Sequence, residues 1–280
     1  MPTEIHFIDV GYGNMTLLNL SDGSNFLYDC NVTNENEKDV LQYLKKHLVG
    51  FRPHIDTFIC SHRDADHMRG MKKIHEQFPI RSVWDSGVTG TTPDSPEYLD
   101  YMDIRRKVGY KEVKRGEELT YNNTIIRVLN SKNGELPENA NSQSIVIKVT
   151  HASQNTINSC LLPGDTDAVT WKNIEKYYQN TSLSCNILLA SHHGSISYFY
   201  DPSDKNYYYT KHIEAKSPHM TIISVGSNAH GHPDEKAIKF YGKYSIGSKQ
   251  GNKILRTDLN GNISVTFNDS GKVNYSVERK

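Results

Sequence analysis

The chain has 280 residues, enough to bury a sizeable core, and its 32 basic and 32 acidic residues cancel to a formal net charge of zero. No global field therefore draws it to nucleic acid or to an anionic membrane, and any such binding falls to a local patch. The N-terminus, Met1 to His6, carries Glu4 and lacks the basic stretch and apolar run of a signal peptide, and no apolar run approaches the roughly 18 residues of a membrane span. The expectation is a cytoplasmic protein with no membrane partner, folded as a single domain over residues 1–280.

In chain order, runs of strand length and composition fall at Ile5 to Val10, Asn25 to Cys30, Asp56 to Cys60, Thr124 to Leu129, Ser144 to Val149, Ser159 to Leu162, Asn186 to Ala190 and Met220 to Val225. Helix-period segments fall at Glu37 to Leu48, His67 to Gln77, Ala168 to Tyr178 and Asp234 to Tyr241. This mixture predicts an α/β fold with two sheets and helices outside. Thr89 to Tyr101 and Asp201 to Tyr209 read as insertions, and Lys253 to Val265 as two strands joined by an Asn260-Gly261 turn. Cys30, Cys60, Cys160 and Cys185 are widely spaced, which suits buried thiols and neither a disulfide framework nor a paired-thiolate zinc site.

Four strands end in side chains of ligand type. Ile55 to Cys60 runs into His62, Asp64, Asp66 and His67; Cys160 to Leu162 delivers Asp165; Ile187 to Ala190 delivers His192 and His193; Ile222 to Val225 delivers Asn228, His230 and His232. Strand C-termini are where α/β folds place their sites, so the pattern predicts convergence on one rim. Imidazole with carboxylate suits zinc, iron or manganese, and two carboxylates on one short loop repel each other unless a cation stands between them.

His62-Arg63-Asp64-Ala65-Asp66-His67, followed by Gly70, resembles the His-x-His-x-Asp-His signature of the metallo-β-lactamase superfamily, with Asp64 standing where the second histidine usually is. That departure is typical of the ComEC-like branch, related to the extracytoplasmic domain of the bacterial DNA-uptake channel. The same branch is matched by Asp9 to Asn14, Asn141 to Ser144, Leu161 to Asp165, His192 to Ser195, Ser224 to Pro233 and Arg256 to Gly261. Tyr12 and Asn14 depart from the glutamine and aspartate of its opening motif.

The resemblance implies an αββα sandwich of two mixed β-sheets flanked by helices, with two divalent metal ions, zinc or manganese. Asp66, His67, Asp165 and one of His192 or His193 hold the better-formed site; His62 and Asp64 contribute to a second, with Asp165 bridging. We assign His192 to the metal and His193 to catalysis, beside Asp66 and His232, although the sequence leaves the two histidines interchangeable. The histidine that often completes the second site is missing, Asn141 and Ser144 occupying its neighbourhood, and His151 reads as a surface residue. Ser195 and Asn228 are candidate donors to substrate, and His232 is a candidate general acid. Arg63 and Arg69, with Lys211, Lys216 and Arg256, suggest a locally basic mouth for phosphate oxygens, and tyrosines 198, 200, 207, 208 and 209 could stack on bases.

The function implied is a phosphodiesterase or nuclease acting on nucleic acid through a metal-activated hydroxide. Alternatives are a cyclic or small nucleotide phosphodiesterase, a lactonase or amidase, and a non-enzymatic metal-binding component of a defence or toxin complex.

Overall fold

The computed structural model describes residues 1–130, 134–201, 203–247, 251 and 253–278. Its strands begin with β1 (Thr3–Phe7), β2 (Thr16–Asn19), β3 (Asn25–Tyr28), β4 (Cys30–Asn31), β5 (Thr57–Ile59), β6 (Val83–Asp85) and β7 (Tyr110–Glu112). There follow β8 (Glu118–Tyr121), β9 (Thr124–Val128), β10 (Ile147–Ala152), β11 (Ile157–Leu162), β12 (Ile187–Leu189), β13 (Tyr200–Asp201), β14 (Asp204–Tyr208), β15 (Met220–Ile223), β16 (Ile254–Arg256), β17 (Asn262–Phe267) and β18 (Val273–Glu278). Among the described residues, one eight-stranded sheet has the order β18-β17-β1-β2-β3-β5-β6-β7 and a seven-stranded sheet the order β16-β15-β12-β11-β10-β9-β8. In each, antiparallel strands give way to a parallel set: β3, β5, β6 and β7 in the first, β11, β12, β15 and β16 in the second.

The two-residue period of the strands divides their side chains between two apolar layers. Ile5, Phe7, Phe26, Tyr28 and Ile59 of the first sheet meet Ile147, Val149, Cys160, Leu162, Ile187 and Leu189 of the second in a shared inner layer. The alternate residues Leu17, Leu27 and Phe58 face outwards onto α1 (Glu37–His47), α3 (Met71–Gln77) and α4 (Pro96–Val108). On the far side, Leu161, Leu188 and Ile223 pack on α5 (Ala168–Tyr177), α6 (Asn180–Leu183), α7 (Lys211–Lys216) and α8 (Glu235–Tyr244). The layers are thus helix, sheet, sheet, helix, as expected, and burial on both faces explains why the strands read as continuous apolar runs.

Several expectations are corrected. Residues 67–77 are not one helix: a four-residue helix, α2 (Ala65–Met68), and α3 are separated at Gly70, whose φ is +78°. A Cβ there would lie 2.4 Å from Cβ of Val32, so this backbone approach requires glycine. The Thr89 to Tyr101 stretch runs into α4, which Ser95 caps by accepting from the amide of Tyr98. Residues 253–265 do not form a hairpin: β16 lies parallel to β15 in the second sheet, and the chain crosses through a short helix, Thr257–Asn260, to pair β17 with β1. The Asp201 to Tyr209 insertion carries the β13–β14 ribbon, with Pro202 outside the described residues. All four cysteines are free and buried, and among the described residues no helix is long and apolar enough to cross a membrane.

Phe267, on β17, is fully buried in the layer between the sheets. Phe267→Ala is expected to cost about 3–5 kcal/mol of stability, read from chemical unfolding.

Candidate metal centre

The parallel strands place their C-terminal ends along one edge, and there the ligand-type loops gather. Tyr28 hands the chain to Asp29, a non-glycine residue at φ +59° whose side chain is fully buried. Its carboxylate accepts from the Ser61 amide (2.6 Å), the Ser61 hydroxyl (2.8 Å), the Asn14 amide group (3.0 Å) and Nδ1 of His67 (2.8 Å). A carboxylate donating nothing fixes the histidine tautomer: Nδ1 carries hydrogen, and Nε2 is the free lone pair. Nε2 of His67 lies 3.3 Å from Oδ1 of Asp165 and 3.7 Å from Oδ2 of Asp66.

His193, assigned to catalysis from the sequence, reaches the same place from the other sheet, where the sequence predicts His192 as the ligand; of the cluster's carboxylates His192 meets only that of Asp165, its Nε2 3.7 Å from Oδ2. Nδ1 of His193 donates to the carbonyl of Ser224 (3.0 Å), and its Nε2 lies 3.3 Å from Oδ2 of Asp66 and 3.7 Å from Oδ2 of Asp165. Both His192 and His193 adopt left-handed backbone, at φ 50° and 52°, and Gly194 follows at φ 77°. Two consecutive non-glycine residues in that region store strain, a device concentrated at functional sites.

One ligand atom from each of Asp66, His67, Asp165 and His193 lies within 4.8 Å of all the others. Nε2 of His67 and Nε2 of His193 are both buried without a hydrogen-bond partner. Orphaned imidazole nitrogens facing two carboxylates fit a divalent cation in both charge and donor type. The electrostatics agree. Burial opposes a charged ring at His67, yet Asp165, Asp29 and Asp66 outweigh it and hold its pKa well above the usual imidazole range. At His193 burial is likewise outweighed by Asp165 and Asp66. Asp165 is held well below the carboxylate range, since His67, His193 and His192 overcome its burial. The cluster thus demands positive charge, which protons or a cation can supply.

No family model matches the chain, and neither does any curated protein. Solved structures do match. The diiron β-hydroxylase CmlA from Streptomyces venezuelae aligns at a TM-score of 0.53 and 12% identity, over 94% of this chain and 53% of that one. YhfI of Bacillus subtilis, a metallo-β-lactamase fold protein, aligns at 0.51 and 12%, over 96% and 98% of the two chains. Igni18, a metallo hydrolase from the archaeon Ignicoccus hospitalis, aligns at 0.51 and 12%, over the full length of both. The chain has the metallo-β-lactamase fold. It spans about half the length of the hydroxylase it matches.

Within this metallo-β-lactamase fold the other expected site residues separate into those at the cluster and those turned away. His62 is buried 3.7 Å from Oδ2 of Asp64 and 4.0 Å from Oδ2 of Asp165, and its pKa is pushed down by burial and by His67. Asp64 is tethered by Thr91, whose amide (2.8 Å) and hydroxyl (3.0 Å) donate to Oδ1. His232 packs its ring 5.8 Å from that of His192, and Nδ1 lies 3.3 Å from Asp234. Tyr12 covers His193, ring to ring at 4.8 Å.

Arg63, expected at the mouth, is buried and donates to Asp85 (2.9 Å), inside a network with Tyr101 and Arg105. Asn228 commits both amide hydrogens to the carbonyls of Gly226 and His232, and its oxygen to the amides of His230 and His232. It holds the loop together and has no donor left for a ligand. Ser195 is buried and caps the following turn through Ser197. Arg69 is spent on Glu97 and Asn31, and Arg256 on Asp258. Lys216 is fully buried, its Nζ 3.2 Å from the centre of the Trp171 ring. Tyr198 and Tyr209 are buried against His212, which leaves Tyr200 and Tyr207 exposed. His151 is buried, not superficial, and lies 2.9 Å from the Thr3 hydroxyl. Sequence reasoning missed Asp29, although one acid inside the apolar run 25–30 was a signal, because a charge there must find partners.

Asp29→Asn keeps a side chain that tolerates left-handed backbone but loses one accepting oxygen, and should weaken metal affinity about 10–100-fold in chelator competition. Burial pushes the Lys216 amine down to about 7. The unfolded chain then holds a proton that the folded chain lacks above that pH, so stability from this residue rises as pH climbs from about 7 towards the ordinary lysine value of about 10.4. Lys216→Met should add about 1–4 kcal/mol at neutral pH and flatten that slope in unfolding titrations.

Proposed function

We propose that this chain is a metal-dependent hydrolase of phosphodiesters, acting on nucleic acid or nucleotides and related to the ComEC-like branch. The observation that carries the metal-dependent reading is the pair of buried, unpartnered Nε2 atoms of His67 and His193 facing Asp66 and Asp165. Asp66, His67, Asp165 and His193 would hold the ion, with Asp29 and the Ser224 carbonyl keeping the two rings oriented. A bound divalent cation supplies Lewis acidity and lowers the pKa of water towards neutrality, which provides a nucleophile without a reactive serine or cysteine. His232, whose Nδ1 lies 3.3 Å from Asp234, would release a proton from Nε2 to a leaving oxygen.

A specific observation favours the small-nucleotide alternative over a long polymer. Arg63 and Lys216, two of the cations expected at the mouth, are buried away from solvent, and Arg69 is paired. Polymer binding depends on a row of phosphate-neutralising charges. The reading treats residues 1–280 as one domain, because both halves of the chain build the inner layer. Four free buried thiols support placing it in the cytoplasm.

The decisive assay offers linear DNA, linear RNA, cyclic nucleotides and carboxylic esters with zinc, manganese and iron separately; iron is included because a diiron protein shares the fold. Phosphodiester cleavage in at least one metal, reduced to background in Asp66→Ala, is expected. Metal-loaded protein that hydrolyses nothing in the panel would overturn the enzyme reading.

A further inference from the structure

Three aromatic rings from two loops far apart in sequence stand together beside the histidine pair. The Tyr12 ring is centred 5.5 Å from that of His230 and 6.5 Å from that of His232, and the two histidine rings are 5.8 Å apart. Their planes differ by 32°, 26° and 17° in the same order. Near-parallel rings in one column would put the outer pair roughly twice as far apart as each neighbouring pair. These separations are nearly equal, so the rings lie side by side and make a surface. It adjoins the candidate centre: the Tyr12 ring is 4.8 Å from that of His193, and the His232 ring 5.8 Å from that of His192.

Both loops are fastened through their backbones. Asn31 donates to the Tyr12 carbonyl, the Ser224 hydroxyl donates to the Gly13 carbonyl (2.9 Å), and a Cβ on Gly226 would come within 2.7 Å of the Tyr12 nitrogen. Opposite them, the Asn228 side chain accepts from the amides of His230 (3.0 Å) and His232 (3.1 Å). The rings themselves are left open. His230 is exposed and Tyr12 half-buried, and Cβ atoms placed on the flanking Gly11 and Gly231 would meet nothing within 4 Å. Rings that only fill the core are buried, as Tyr198 and Tyr241 are. An aromatic surface that is fixed in place and open has the properties of a preorganised binding seat.

Tyr12 also lines a cavity of about 660 Å³, a size suited to one small molecule. Its walls carry Asp9, Glu35, Asp39 and Glu278 against one cation, Arg69, which is paired with Glu97. Like charges disfavour a phosphate there and leave room for an uncharged ring and sugar.

We infer that Tyr12 and His230, with His232 at the edge, seat a nucleobase, so that the substrate lays one base-bearing end on these rings while its phosphodiester group faces the cluster of Asp66, His67, Asp165 and His193. This rests on the nucleotide reading above and names the part of the substrate that the chain recognises. Every base has a π-face, so the seat separates substrates with a base from those without one and tolerates different bases. Tyr12 stands where the opening motif that this sequence resembles has glutamine, which offers no such ring.

The test uses the full chain loaded with zinc and two ligands that differ in the base alone, adenosine monophosphate and ribose phosphate. Binding is followed by calorimetry and by proton magnetic resonance of the ligands. Wild type should bind the nucleotide about tenfold more tightly and shift its adenine proton lines upfield, the ring-current signature of stacking. Tyr12→Leu keeps bulk and loses the π-face. It should bring the nucleotide to the affinity of the sugar phosphate, abolish the upfield shift and leave sugar phosphate binding unchanged, whereas Tyr12→Phe should retain the preference. His230→Ala, at an exposed position, should reduce the preference about threefold and is the second variant should Tyr12→Leu fold poorly. Equal affinities in wild type, no binding of either ligand, or a Tyr12→Leu chain that weakens both ligands alike would overturn the base seat. The hydrolase reading fails separately, by metal-loaded protein that binds the nucleotide with this preference yet cleaves nothing in the substrate panel.

Discussion

The buried carboxylate of Asp29 is the constraint on which the rest of the centre depends. It sits where the first parallel strand ends, and its two oxygens receive donors from the loop that follows the second. A buried charge lacking such donors would cost several kcal/mol, so the strand end, the Ser61 turn and the His67 ring are one unit. Asn14, which stands where the opening motif that this sequence resembles has aspartate, is the fourth donor in that unit. An aspartate there would set two carboxylates against each other. The substitution is therefore consistent with the local hydrogen bonding.

The two halves of the molecule are locked at the centre by short backbone approaches. The Ser61 carbonyl accepts from the Ile145 amide (2.8 Å), and the Tyr28 hydroxyl donates to the Ile145 carbonyl (2.7 Å). On the other flank, the Ser224 hydroxyl donates to the Gly13 carbonyl, and a Cβ on Gly226 would come within 2.4 Å of Gly11. His67 and His193 thus stand on sheets whose separation is set by bonded contacts, as a preorganised site requires.

Much of this was legible in the residues. The apolar runs at 57–60, 159–162, 186–190 and 220–225 marked the site-bearing strands because burial on both faces leaves no polar alternation to confuse them. Strands at the sheet margins were harder: β7 is exposed along its length and β8 half-exposed, so neither carries an apolar run. The hairpin expected near Asn260-Gly261 failed for a different reason, since local turn chemistry cannot tell whether the next strand returns to its own sheet or crosses to the other. Among the site residues, ligand type and spacing pointed to Asp66, His67 and Asp165, which the fold brings together with His193. They were silent on orientation, which is why Arg63, one residue from His62, proved to face the opposite way into a buried network with Asp85.

The pairing of β1 with β17 carries a consequence for how the molecule comes to be made. Thr3 to Phe7 lie against Phe267 to Ile263, so the first strand stays unpaired on one side until the chain beyond residue 262 has left the ribosome. Loops bearing Asp165, His192 and His193 also follow the first-sheet ligands by about a hundred residues or more. Contacts of such long sequence separation form slowly and late. The His/Asp cluster must then assemble late, and a fragment ending before β17 would expose the edge of β1 to other strands and to aggregation.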